Sequence, residues 1–216
     1  IAMFRDRGYR CAWVHTGMDP VHGPARAEYR KLGMTTNLSC GGVLGSLREC
    51  PDLPPPNGVT FRWANADDAQ RVREMAVDAW RPVDDDIRAA LGDDIYALTQ
   101  ADATAKRAEE CGAATGEPRT VLLAQLGGRS VGFATVDEDK DRGVGKLAAV
   151  GVDPSHQGGG IGSALCMEVF RGFRERGIAY VVAWPRPGEV TPQTRRMFWK
   201  VGMYHEVLAT NYYMML

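Results

Sequence analysis

Residues 150–164 read VGVDPSHQGGGIGSA, an apolar run, an Asp-Pro stop, four glycines within five positions, and the start of an apolar helical pattern. Such a segment passes from a strand through a glycine-rich turn straight into a helix. Backbone N–H groups of the turn can point inward together, and the helix N-terminus adds a partial positive charge. Glycines permit positive φ, and without side chains they let a diphosphate approach the amides closely. A phosphate-bearing ligand is therefore expected over Gln157 to Ala164. A Walker A loop would need Lys and then Ser or Thr after the last glycine, where this chain has Ser163-Ala164. The dinucleotide fingerprint would need a glycine where Ser163 stands. What remains is Gln-x-x-Gly-x-Gly, met by Gln157, Gly160 and Gly162. A merely flexible turn is the alternative, and four clustered glycines argue against it.

The elements around this loop follow from periodicity and punctuation. Residues 59–63 alternate like a strand, and 67–80 carry helical spacing at Ala69, Val72, Met75, Ala76 and Ala79 that Pro82 should end. A second helix is expected over 87–100. Apolar runs at 120–125 and 130–136 flank Gly127-Gly128, a hairpin signal, and a third run covers 146–152. Ile161, Leu165, Val169 and Phe173 share one helical face, with Gly177 as a C-cap. A strand at 178–184, a helix at 191–201 and two short strands in 204–216 complete the order β-α-α-β-β-β-α-β-α-β-β. The expected class is α/β, or more strictly an α+β mixed sheet covered by helices.

In a chain of 216 residues, Lys and Arg number 26 against 27 Asp and Glu, a net charge of −1 that excludes a general nucleic-acid binder or a polybasic membrane binder. No apolar run approaches the ~18 residues of a membrane span, and no charged-then-apolar leader opens the chain. Cys11, Cys40, Cys50, Cys111 and Cys166 are odd in number and form no CxxC pair, so reduced thiols, a cytoplasmic setting and no metal are expected.

Four prolines crowd residues 51–58, which should form a semi-rigid spacer between an N-terminal piece, 1–50, and a main domain, 59–216. Offset by about 169 residues, the piece aligns with the C-terminal half without a gap. Phe4-Arg5-Asp6-Arg7-Gly8 falls on Phe173-Arg174-Glu175-Arg176-Gly177, and Gly33-Met34 on Gly202-Met203. Residues 1–50 thus read as the C-terminal half of an earlier copy whose first half is absent. Such a half-domain could pack on an exposed edge of the main sheet or on a second subunit, as in a homodimer.

At these residues the chain resembles the GNAT superfamily of acyl-CoA N-acyltransferases. The resemblance covers 59–216 through the 121–134 hairpin, the V-x-P-x-x-Q-x-x-G-x-G loop and the ending Asn211-Tyr212-Tyr213-Met214. It implies a GNAT-like fold with acetyl-CoA as co-substrate. Its pyrophosphate would be held by Gln157, Gly158, Gly159, Gly160, Ile161, Gly162 and Ser163. Its pantetheine would lie along Val150, Gly151 and Val152, splayed from the 178–184 strand. A backbone N–H near Val152 would polarise the thioester carbonyl. The implied reaction is direct acyl transfer to a primary amine of a small molecule or peptide, after loss of a proton from the ammonium form.

Asp137, Glu138 and Glu189 are the candidate carboxylates for the base, and Glu138 is the expected one. The run Asp84-Asp85-Asp86 could attract a cationic acceptor, which favours an antibiotic- or polyamine-modifying enzyme as an alternative. Family members commonly carry a tyrosine that serves as acid toward the thiolate, and Phe198 stands there in this chain. Tyr204 and Tyr212 are the expected substitutes. The matching position of the N-terminal piece retains Tyr29. The missing acid also leaves open a non-catalytic CoA-binding or regulatory module.

Overall fold

The structure is a computed structural model that describes residues 1–186, 188 and 191–216. The N-terminal residues form α1 (Ala2–Asp6), β1 (Cys11–Gly17), α2 (Gly23–Lys31) and β2 (Thr36–Ser46). After the proline stretch come β3 (Val59–Trp63), α3 (Ala69–Leu91), α4 (Asp93–Thr99) and α5 (Ala103–Ala113). The chain continues through β4 (Val121–Leu126), β5 (Arg129–Asp139), β6 (Val144–Val152) and α6 (Ile161–Glu175). It ends with β7 (Tyr180–Ala183), α7 (Pro192–Lys200) and β8 (His205–Met215). Among the described residues the strands form one mixed, eight-stranded sheet in the order β1-β8-β2-β7-β6-β5-β4-β3. Among these described strands, only β6 and β7 pair in parallel. The expected mixed sheet with helices packed on it is the observed fold.

Alternation along the strands explains the two covered faces. Leu122 and Ala124 point to one core with Leu165, Phe170 and Phe173 of α6. Val121 and Leu123 point to the other, with Val72, Met75 and Trp80 of α3 and Ala108 of α5. Gly127 and Gly128 both hold positive φ, as a two-residue hairpin turn requires.

Three expectations change. Helix α3 does not stop before Pro82 but runs through it to Leu91. The proline removes one hydrogen bond to Asp78, and the buried row Trp80, Ile87 and Leu91 holds the helix together regardless. The second expected helix divides at Gly92, where φ is +77°, and a further helix, α5, lies in a stretch where the sequence pattern predicts no element. Residues 204–216 form one long strand rather than two, because β8 is paired along its length with β1 on one side and β2 on the other.

The N-terminal piece does more than cover an edge of the sheet: its β1 is the edge strand beside β8. Its β2 lies inside the sheet between β7 and β8, so 59–216 do not make a contiguous sheet by themselves. The offset found in the sequence carries α2 onto α7 and β2 onto β8 with the same bounds. It also interchanges the pairings: Cys11–Met215 becomes Tyr180–Ser46, and Thr36–Tyr213 becomes His205–Leu44, while Cys40–Ala209 maps onto itself. Strands β2 and β8 are therefore related by a local two-fold axis, and each pairs with the strand that precedes the other. Residues 51–56 carry no regular structure and pass along the α6 face, with Leu53 packed on its core.

All five cysteines are free thiols, and burial pushes that of Cys166 up to about 12. No described helix is long and apolar enough to cross a membrane. Leu47 is 1% exposed inside the α6 core although it lies just beyond the end of β2. Leu47→Ala should therefore lower the unfolding free energy by about 2–5 kcal/mol, read from a denaturant melt. A loss within about 0.5 kcal/mol would mean that the piece is only tethered to the main sheet.

Candidate active site

Strand β6 ends at Val152, and the turn after it is tied down by side chains on both sides. Asp153 Oδ1 accepts the Ser155 N–H at 3.0 Å and the Ser155 hydroxyl at 2.6 Å. Arg71 Nη2 donates to Asp153 Oδ2 at 3.4 Å and to the Ser130 carbonyl at 3.0 Å. Gln157 folds back so that Nε2 donates to the Val152 carbonyl at 2.9 Å. The motif glutamine thus serves the turn's shape as well as its polarity. Gly158 and Gly160 hold φ of +78° and +85°, and Gly160 caps α6 in the left-handed conformation.

Room and donors coincide here. A Cβ at Gly158 would meet nothing within 4 Å, and one at Gly159 nothing closer than the His156 carbonyl at 3.6 Å. The Gly160 carbonyl receives its helical bond from Ala164, so the N–H groups of Ile161, Gly162 and Ser163 have no partner within α6. Ile161 and Ser163 turn their side chains into the protein, leaving those amides as their contribution. Gly162 has a different reason to be glycine: a Cβ would come within 3.0 Å of Met197 Sδ on α7. The turn is thus a cradle of amides that lack helical partners, set beside open space.

Beside the cradle the sheet opens. The parallel β6–β7 ladder consists of Val144–Tyr180, Gly145–Val181 and Lys146–Val182 and then stops. On the other side of β6, pairing with β5 passes from Val136–Leu147 to Thr135–Ala149, which leaves Ala148 as a bulged residue. A bulge bends its strand and sharpens the twist, so β6 turns away from β7 just past the last parallel pair. Val150, Gly151 and Val152 consequently present an edge that β7 does not occupy. Phe133 fills the space where Gly151 would carry a Cβ, fixing that edge from below.

A cavity of about 650 Å³ lies where the two strands part, lined by α5 and by residues that include Thr135, Asp137, Lys146, Ala149 and Trp184. Asp137 accepts a hydrogen bond from Lys146 Nζ at 3.1 Å, which holds its carboxyl below the usual carboxylate range. On the α5 wall the Arg107 guanidinium stacks 4.9 Å from the Trp80 ring centre. Arg186 approaches the same ring at 5.6 Å.

The residues expected to act as acid or base are scattered. Glu138 lies at the far end of β5, opposite Gly145, and its Oε1 pairs with Arg176 Nε at 2.6 Å beyond the C-terminus of α6. It does not line the cavity, whereas Asp137 and Glu110 do. Glu189 lies outside the described residues. Tyr212 is 3% exposed on β8, between Val14 and Asn37, with its hydroxyl accepting from Arg30 Nη2 at 3.1 Å and its ring against Tyr29. The intervening β2 and β7 put it in the N-terminal half, away from the cradle. Tyr204 is exposed in the turn before β8 and is absent from the cavity wall. Phe198 is buried in the α6 core. Asp84 sits on α3 facing Arg186 at 3.9 Å, and none of Asp84, Asp85 and Asp86 lines the cavity. Sequence reasoning does not find Arg107, Trp80 or the bulge at Ala148, since no local pattern marks them.

The family model described as "Acetyltransferase (GNAT) family" matches residues 71–203, which span the cradle, the opened strands and the cavity. The chain belongs to the GNAT acetyltransferase family. A mycothiol acetyltransferase from Nocardia farcinica is 31% identical over 183 residues, covering 80% of this GNAT chain and 54% of the relative. The chain thus spans about half the length of the curated relatives it matches. A GCN5-related N-acetyltransferase from Sphaerobacter thermophilus shares the fold at 20% identity, with a TM-score of 0.68 over 99% of this chain and 64% of that one. The PaiA N-acetyltransferase of Thermoplasma acidophilum, solved with coenzyme A, does so at 13% identity and a TM-score of 0.54, over 70% and 97% of the respective chains.

Asp153 gives this site a pH signature. Its hydrogen bonds from Ser155, aided by Arg71, hold its carboxyl below the ordinary value of 3.8. A depressed folded-state pKa contributes stability above the unfolded pKa, and that contribution disappears as pH falls through the folded one. Asp153→Asn should therefore be less stable than the parent at pH 6, with the gap closing below about pH 3.8. Thermal melts across that range check this, and a gap that persists unchanged at acid pH would contradict the assignment.

Proposed function

We propose that this GNAT protein transfers an acetyl group from acetyl-CoA to a primary amine of a small molecule. The observation that carries the reading is the run of open amides from Gly158 to Ser163, set directly beside the β6 edge that β7 leaves unpaired. Gln157, Gly158, Gly159, Gly160, Ile161, Gly162 and Ser163 would hold the pyrophosphate, and Val150, Gly151 and Val152 the pantetheine. Bound acetyl-CoA supplies the acyl group in activated form, as a thioester. The cavity at the parting of β6 and β7 then orients an acceptor amine toward it.

Asp137 is kept charged by Lys146 and so favours the ammonium form of an arriving amine. Its low basicity hands the proton on to solvent rather than storing it. Phe198 offers no hydroxyl at the position of the family's usual acid. A thiolate is a stable leaving group and does not require one.

A small-molecule acceptor is supported by the relatives named mycothiol acetyltransferase. The polyamine alternative loses its motive, since Asp84 faces Arg186 and Asp85 and Asp86 stay on the exposed side of α3. Residues 1–50 are read as the C-terminal half of a duplicated unit. Support comes from the matching bounds of α2 with α7 and β2 with β8, and from the two-fold relation of their pairings.

Isothermal titration with acetyl-CoA, followed by a free-thiol release assay over a panel of amines, tests the function. Binding together with thiol release on at least one amine is expected, whereas binding without release on any would favour a non-catalytic module. Gly159 is the cleanest position to probe, since its φ is ordinary and the space beside it is open. Gly159→Trp should fold normally yet weaken acetyl-CoA at least tenfold, about 1.4 kcal/mol. Undiminished affinity would show that the diphosphate lies elsewhere.

A further inference from the structure

The edge assigned to pantetheine depends on one bulged residue, and that residue is held from the opposite layer. Ala148 is the extra residue of β6 between the Val136–Leu147 and Thr135–Ala149 pairs. Its carbonyl has no place in the regular β5 ladder, and Arg107 Nη2 donates to it at 2.6 Å. Arg107 comes from α5, and its guanidinium lies over the Trp80 ring, 4.9 Å from the centre. Trp80 is itself 6% exposed and meets Phe133 edge-on at 6.0 Å, and Phe133 packs against Gly151. Stacking restrains the guanidinium, and a planar fork held in place directs its N–H groups.

We infer that Arg107 is a positioning residue that sets the β6 edge for the pantetheine arm of the donor, by holding the Ala148 carbonyl from its seat on Trp80. The inference rests on the proposed reading of β6 as that edge. A hydrogen bond from a charged donor is stronger than one from a neutral donor, so its loss lets the bulge relax toward β7 and narrows the gap. The diphosphate cradle is independent of this brace, because Asp153, Arg71 and Gln157 tie it down separately. Arg107 therefore acts on one part of the donor and not on the other. Lysine at the same position reaches with a point charge but cannot stack on the indole as a planar group, so it restores only part of the effect.

The experiment is isothermal titration of parent, Arg107→Leu and Arg107→Lys with two probes, coenzyme A and 3′-phosphoadenosine 5′-diphosphate, which lacks the pantetheine arm. Arg107→Leu should weaken coenzyme A about tenfold while leaving the fragment within about twofold. Arg107→Lys should fall between parent and leucine for coenzyme A. Thermal melts of the three proteins report whether each is folded during titration. Equal weakening of both probes, or no weakening of either, overturns the role of Arg107 while leaving the cradle in place. Failure of the parent to bind either probe overturns the reading of the cradle, and this role falls with it.

Discussion

The site depends on a parallel pairing that stops early. β6 and β7 run together for three pairs, and the bulge at Ala148 then turns β6 aside. A parallel ladder left incomplete exposes backbone donors and acceptors that a sheet interior would otherwise satisfy. Here the exposed edge lies between the glycine cradle on the α6 face and the cavity on the α5 face. The opening joins the two faces of the sheet at one point.

Keeping that opening in place requires support from both layers. On one face Trp80, Phe133 and Gly151 make a continuous contact under the edge, with Arg107 reaching over the tryptophan to the bulge. On the other, α6 packs across β4, β5 and β6, and Gly162 allows α7 to close against its first turn. The cradle is held by local side-chain bonds, whereas the edge is held by long-range packing. The cradle and the edge are thus stabilised by different physics.

The far side of the sheet shows a second arrangement that no single unit would make. β2 occupies the place beside β7, and β8 is carried over to lie beside β1. The antiparallel contact between β2 and β8 joins the two halves around the Cys40–Ala209 pair. Leu47 and Val43 then contribute to the same core as α6, so the N-terminal residues share in the framework behind the site. The exchange also explains Tyr212, whose part of β8 is flanked by the N-terminal strands β1 and β2.

What the sequence by itself determined was local. Gly158 and Gly160 require left-handed backbone, Asp153 must cap the turn at Ser155, and Gly127-Gly128 must reverse the chain, because each constraint is met by neighbours a few residues apart. The internal offset was also legible, since it needs only matching residues. Tertiary structure alone decided which strand sits beside which, and the placement of the distant side chains came with that order. It took Tyr212 away, tied Glu138 to Arg176, turned Asp84 toward Arg186, and brought Arg107 to the Ala148 carbonyl. Sheet order and bulge position arise from the sum of many weak packing terms across distant segments, and no short stretch of sequence carries that sum.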